Sequence, residues 1–249
     1  MRTILIGDIH GCADELEALL ARTYAAGDRV ISLGDILDRG PDVRRSLDLL
    51  YQVRAEGILG NHEDRHLHYQ KYTELPAPNP VQLNTHHLKT RSQLLPEDWP
   101  WLACMRSFIR IPEHNLIAVH AGILAGVRPE HMQASKLCRV QLTKPDSSAS
   151  PWSDWEFDAQ GEPRLGGFAG QDLARGYRFW TDWWQGPEHV VYGHTVFQKP
   201  RLTEQNGVKT FGIDTGAVFG NSLSALVLPE WKTVSVPSRR EYCRRVPGE

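Results

Sequence analysis

The chain has 249 residues, 41% of them hydrophobic and 23% charged, which suits one α/β domain with a sizeable core and excludes disordered, collagenous and coiled-coil chains. Twenty-eight basic residues stand against 30 acidic ones, so charge gives no argument for a nucleic-acid or membrane-surface partner. Cys12, Cys104, Cys138 and Cys243 form no CxxC pair and no apolar run is long enough for a leader or a span, so the expected compartment is the cytoplasm.

Thr3–Ile6 reads as a short β-branched strand, followed by the polar loop GDIHG and a helix from Ala13 to Tyr24 with Leu16, Leu19 and Leu20 on one face. The pattern repeats with a strand at Val30–Leu33, the loop GDILDRGPD and a helix from Val43 to Ala55. A third strand, Ile58–Leu59, ends in GNHE. Strands alternating with helices imply right-handed βαβ crossovers and a parallel core. From Glu74 to Trp101 the chain is rich in Pro and His and reads as loops and helices outside the sheet. Strand patterns then follow at Phe108–Ile111, Leu116–His120, Val190–Tyr192, Lys209–Ile213, Leu223–Leu228 and Thr233–Val236, which suggest a second, mostly antiparallel sheet. The Ser/Pro/Gly/Asp-rich stretch Thr143–Gly170 is long enough to read as a loop lining a functional site. Residues 1–236 are expected to form a single domain, with 237–249 a basic tail that is solvated or meets an acidic partner.

Five apolar runs each stop at a side chain able to hold a metal: ILIG before Asp8 and His10, VISLG before Asp35, ILG before Asn61, LIAV before His120 and VVYG before His194. In open α/β sheets the ligand crevice lies beyond the carboxyl ends of the strands, so the fold gathers such residues in one place. Glycine before the polar residue frees the backbone for a sharp turn. Carboxylate and amide oxygens mixed with imidazole suit borderline divalent ions such as Mn, Fe, Zn, Co or Ni. Six positions are too many for one tetrahedral ion and fit two ions sharing a carboxylate, an arrangement that acidifies water and attracts an anion, as phosphoester hydrolysis requires.

DIHG at Asp8–Gly11, GDILDRG at Gly34–Gly40, GNHE at Gly60–Glu63, VHAG at Val119–Gly122 and GHT at Gly193–Thr195 together resemble the ordered motifs of the calcineurin-like metallophosphoesterases. IDTGAVFG at Ile213–Gly220 and PWSD at Pro151–Asp154 add to the likeness, which is greatest to the branch of serine/threonine phosphoprotein phosphatases and symmetrical bis(5'-nucleosyl)-tetraphosphatases. The resemblance implies an αββα sandwich, two mixed sheets flanked by helices, with a dinuclear site at the strand C-termini. It implies that Asp8, His10 and Asp35 hold one ion, that Asp35 bridges to a second held by Asn61, His120 and His194, and that manganese is the first choice, with Fe, Zn, Ni, Co or Mg as others. Asp38 and His62 match the family's acid pair and Arg39 a phosphate-clamping arginine, with Arg175 or Arg178 as a second. Position 196 is Val where many relatives outside this branch carry a further histidine, so the first ion is expected to keep more water. The implied chemistry is in-line attack on phosphorus by a metal-bridging hydroxide, without a covalent enzyme intermediate. The expected substrate is a phosphomonoester on protein, with a nucleoside polyphosphate, as in diadenosine tetraphosphate hydrolysis, as the alternative.

Rival readings are weaker. His62–His66 also satisfies HExxH, but it follows a strand and a Gly-Asn turn on a polar helix, whereas a zincin motif needs a partly buried amphipathic one; His66 and His68 are therefore expected to be solvated. A binding module that has lost chemistry conflicts with the full ligand and acid set. The aromatic residues Trp152, Trp155, Phe157, Phe179, Trp180, Trp183 and Trp184 read as core packing ahead of a base-stacking wall.

Overall fold

The computed structural model describes residues 2–73, 75–146 and 172–244. Five strands, β1 (Thr3–Ile6), β2 (Arg29–Ser32), β3 (Glu56–Gly57), β11 (Ser222–Leu228) and β12 (Lys232–Pro237), form one sheet in the order β12-β11-β1-β2-β3. Five more, β4 (Phe108–Ile111), β5 (Leu116–Val119), β8 (His189–Tyr192), β9 (Arg201–Gln205) and β10 (Val208–Gly212), form a second in the order β4-β5-β8-β10-β9. A small ribbon joins β6 (Leu142–Thr143) to β7 (Arg178–Phe179).

Alternate residues along each strand face opposite layers, and every layer is apolar. On β1, Ile4 and Ile6 point to a core shared with helices α1 (Ala13–Thr23) and α2 (Val43–Gln52), while Leu5 points between the sheets. On β5, Leu116 and Ala118 meet it there, and Ile117 and Val119 face outward onto Phe179 and Trp180. Each such side chain contributes about 1.5–3 kcal/mol over exposure. Trp180 is fully buried and Phe179 nearly so, so both belong to the core, with Trp184 packed against them. Trp152, Trp155, Phe157 and the PWSD motif lie outside the described residues.

Several expectations need correction. Leu223–Leu228 and Thr233–Val236 do not join the second sheet: β11 pairs antiparallel with β1, Thr3 opposite Leu228, and β12 folds back on it. The second sheet is mixed, because β5, β8 and β10 run parallel between antiparallel edges. The third strand sits two residues earlier than expected, as Ile58 turns away to bridge Arg106 while its N–H still bonds Ser32. Edge strand β9 escapes periodicity because RLTEQ is polar and even Leu202 is exposed. Helix α2 is shorter than Val43–Ala55 because Arg54 adopts a left-handed φ of 53°. In the stretch expected to lie outside the sheets, the helices are α4 (Thr85–Arg91) and α5 (Asp98–Ala103). The basic segment after β12 docks on α1: the Arg239 N–H donates to Glu15 at 2.9 Å, its guanidinium meets Asp14 at 2.8 Å, and the Tyr242 hydroxyl donates to Glu15 at 2.9 Å. Among the described residues no helix is long and apolar enough to cross a membrane.

Candidate metal centre

The loops leaving β1, β2, β5 and β8 converge where the two sheets meet, and helix α3 (Asn61–Thr73) begins in the same place. The expected turn device is only partly right. Of the glycines that precede a site residue Gly34, with φ 98°, is left-handed, while the polar residues His10, Asp35, Asp38, Arg39 and His194 are themselves five of the nine non-glycine residues with positive φ among the described residues. Such strain is typical of functional sites held by their surroundings. Gly60 and Gly193 serve close approach instead, since a Cβ on either would lie 2.3 Å from Asp35 Oδ1 or 2.2 Å from Asp8 Oδ1.

The Asp35 carboxylate is the meeting point. Its Oδ2 lies 3.7 Å from His10 Nε2 and 3.9 Å from His62 Nε2, and its Oδ1 lies 3.4 Å from His120 Nε2. Each oxygen therefore addresses a different cluster: His10, Asp35 and His62 form one group able to hold an ion, and Asp35, His120 and His194 another. Asn61 Oδ1 lies 3.1 Å from His120 Nε2 and so joins the second. Asp8 falls outside both triples, with its carboxylate accepting the His194 N–H at 3.0 Å. His10 and His120 spend Nδ1 on the carbonyls of Leu37 and Leu33, both at 2.8 Å, which leaves Nε2 to face Asp35. Among the described residues, the buried Nε2 of His194 has no hydrogen-bond partner. Imidazoles oriented by a carbonyl and a lone buried nitrogen are what metal ligation requires, so the donor set fits divalent ions.

Electrostatics agree. Burial, with His62 and Arg39, pushes His10 down to about 3, and burial with His120 does the same for His194, so both offer lone pairs at neutral pH. Burial alone would raise Asp35, yet His120 and His62 hold it well below the carboxylate range. Burial alone would lower His120, yet Asp35 pushes it up to about 10. The centre thus demands positive charge. Burial and neighbouring Asp214 raise Asp8.

Beside this cluster, Asp38 Oδ2 accepts His62 Nδ1 at 2.6 Å, so the expected acid pair is in contact. Arg39 is half-buried, its guanidinium 5.3 Å from the Phe219 ring centroid. Sequence reasoning missed Glu63, which is fully buried and accepts the N–H groups of Asp35 and Gly60 on Oε2 and of Ile36 and Leu37 on Oε1, at 2.8 to 3.1 Å. Glu63 therefore clamps the loop bearing Asp35, and the Glu of HExxH is spent on backbone amides. Glu63→Gln turns an amide N–H₂ against those donors; it should destabilise the fold by about 2–3 kcal/mol, read as a lower urea midpoint, and weaken metal retention. An unchanged midpoint would sink the clamp.

His66 is not solvated as expected: it is fully buried and donates Nε2–H to Asp38 Oδ1 at 2.9 Å, whereas His68 is half exposed and bonds Asp64. Arg178 is exposed and donates to the carbonyls of Leu173 and Tyr177, and Arg175 is exposed. A further arginine beside this centre is Arg139, which follows helix α6 (Ala134–Leu137); it pairs with Asp64 at 2.6 Å and donates to the Asn61 carbonyl at 3.4 Å.

A two-sheet sandwich with acidic, amide and imidazole donors gathered at its strand ends defines a metal-dependent phosphoesterase. The chain belongs to the calcineurin-like phosphoesterase family, whose model matches residues 1–198. It is 31% identical to the asymmetrical bis(5'-nucleosyl)-tetraphosphatase PrpE of Bacillus velezensis, over 96% of this chain and 93% of that one. It is 29% identical to the same protein of Oceanobacillus iheyensis, over 97% and 94%. A solved structure described as a candidate diadenosine tetraphosphatase is similar at 25% identity, with a TM-score of 0.70 over 95% of this chain and 93% of that one.

Proposed function

We propose that the chain hydrolyses bis(5'-nucleosyl) tetraphosphates asymmetrically, into a nucleoside triphosphate and a monophosphate. The observation that carries this is the end-to-end likeness to relatives of that name, which favours the alternative over the protein phosphatase expected first and the asymmetrical over the symmetrical form. In this reading Asp8, His10 and Asp35 hold one divalent ion, and Asp35, Asn61, His120 and His194 hold a second, manganese being the first to supply. Two bound ions provide an activated water and neutralise phosphate charge.

The remaining work falls to the chain's own groups. Glu63 fixes the Asp35 loop through four amides. Arg39 binds a non-bridging phosphate oxygen, a contact suited to the fork of a guanidinium. Asp38 holds the Nδ1 side of His62, so Nε2 is the atom that gives its proton to the departing oxygen.

Diadenosine tetraphosphate, 4-nitrophenyl phosphate and a phosphothreonine peptide, each with manganese, should separate the readings. ATP and AMP in equal amounts are the expected products, with kcat/KM for the dinucleotide well above that for the peptide. Two equivalents of ADP would refute asymmetry, and preference for the peptide would restore the protein phosphatase reading.

A further inference from the structure

Asp38 is almost fully buried and lies among three imidazoles. Its Oδ2 takes His62 Nδ1 at 2.6 Å, its Oδ1 takes His66 Nε2 at 2.9 Å, and His87 Nε2 stands 3.7 Å from Oδ2. His66 follows His62 by four residues on α3, which puts both rings on one face of the helix. His87 comes from α4, in the Pro- and His-rich stretch that precedes β4.

The hydrogen bonds fix the tautomers of the outer two rings. His87 Nδ1 accepts the Asn84 N–H at 3.0 Å in a capping box that starts α4, so its proton sits on Nε2, facing Asp38. His66 is fully buried, and among the described residues its Nδ1 has no partner. Its ring donates Nε2–H to Asp38 Oδ1. Both carboxylate oxygens are thus occupied by donors, and hydrogen bonds from His62 and His66, working against burial, hold Asp38 well below the ordinary carboxylate range.

We infer that His66 and His87 are positioning residues for proton delivery, acting through Asp38 to hold the His62 ring with Nε2 turned to the reacting phosphate. The inference rests on the His62 role proposed above. A carboxylate gripped at one oxygen can rotate about its Cβ–Cγ bond, whereas one gripped at both keeps the oxygen facing His62 in place. Loss of the His66 N–H leaves Oδ1 unsatisfied in a dry interior, and the carboxylate must turn to find another donor. His87, farther off, contributes the lesser part.

The test compares His66→Gln, whose amide nitrogen reaches where imidazole Nε2 was, with His66→Asn and His66→Leu, which supply no donor there. Each is assayed on phenyl phosphate and diadenosine tetraphosphate, alongside His62→Asn and with metal content measured. His66→Asn and His66→Leu should keep two ions and their KM but lose kcat on phenyl phosphate by about tenfold or more, with a clearly smaller loss on the dinucleotide. His66→Gln should restore most of that loss. Equal losses on both substrates, or a Gln variant no better than Asn, would overturn the positioning role, as would a third ion bound at this cluster. If His62→Asn itself shows no contrast between substrates, the acid role fails first; if it shows the contrast and the His66 variants do not, the positioning role fails alone.

Discussion

Asp35→Asn should leave a folded protein that retains no more than one ion and turns over at least about a thousandfold more slowly. The fold survives because Asn tolerates the left-handed φ of 48° that Asp35 adopts, and the backbone N–H bonds to Glu63 are untouched by the change. What is lost is charge at a carboxylate that faces His10 on one oxygen and His120 on the other. An amide can offer one oxygen only, and its N–H₂ repels either an ion or a protonated ring. Metal content after dialysis, a melting curve and turnover of the same sample check the argument together. Turnover near that of the parent chain would refute the bridging role, and a collapsed melting curve would mean that Asp35 holds the loop instead.

Much of this was legible because the fold uses strand ends as its addresses. The runs before Asp8, Asp35, His120 and His194 are β-branched or aliphatic and end abruptly, so strand and site residue are read in one stroke. The boundaries of β4 follow from its alternation of buried and half-buried residues, whereas β5 is apolar throughout and ends at Val119, one residue before the expected His120. Part of what escaped lies on helix α3, which buries His62, Glu63, Asp64 and His66 in place of an apolar stripe. Apolar periodicity, the signal that reveals α1, is silent there. Glu63 satisfies backbone amides that no sequence pattern announces, and His87 reaches Asp38 from a helix whose place in space follows from neither its composition nor its caps. Strand β11 joins β1 rather than the second sheet, a pairing that spans almost the whole chain and that local pattern cannot carry.

His62→Asn should lose turnover in proportion to how badly the leaving oxygen needs a proton. A phenol titrates at about 10 and a phosphate monoester in its second step at about 6, so phenolate departs poorly without an acid and a nucleotide phosphate departs well. General acid catalysis is worth about 10²–10⁴-fold; the upper part of that range is expected for phenyl phosphate, and about tenfold or less for diadenosine tetraphosphate. Metal content should be unchanged, since His62 is held through Nδ1 by Asp38 and its own N–H bonds Asp35 Oδ1 from the backbone, a contact that Asn retains. The ratio of the two losses is the decisive quantity. A loss equal for both substrates, or a sample that no longer retains two ions, would remove His62 from proton delivery and place it with the neighbouring ligands, where His10, Asp35 and His62 already form a group able to hold an ion.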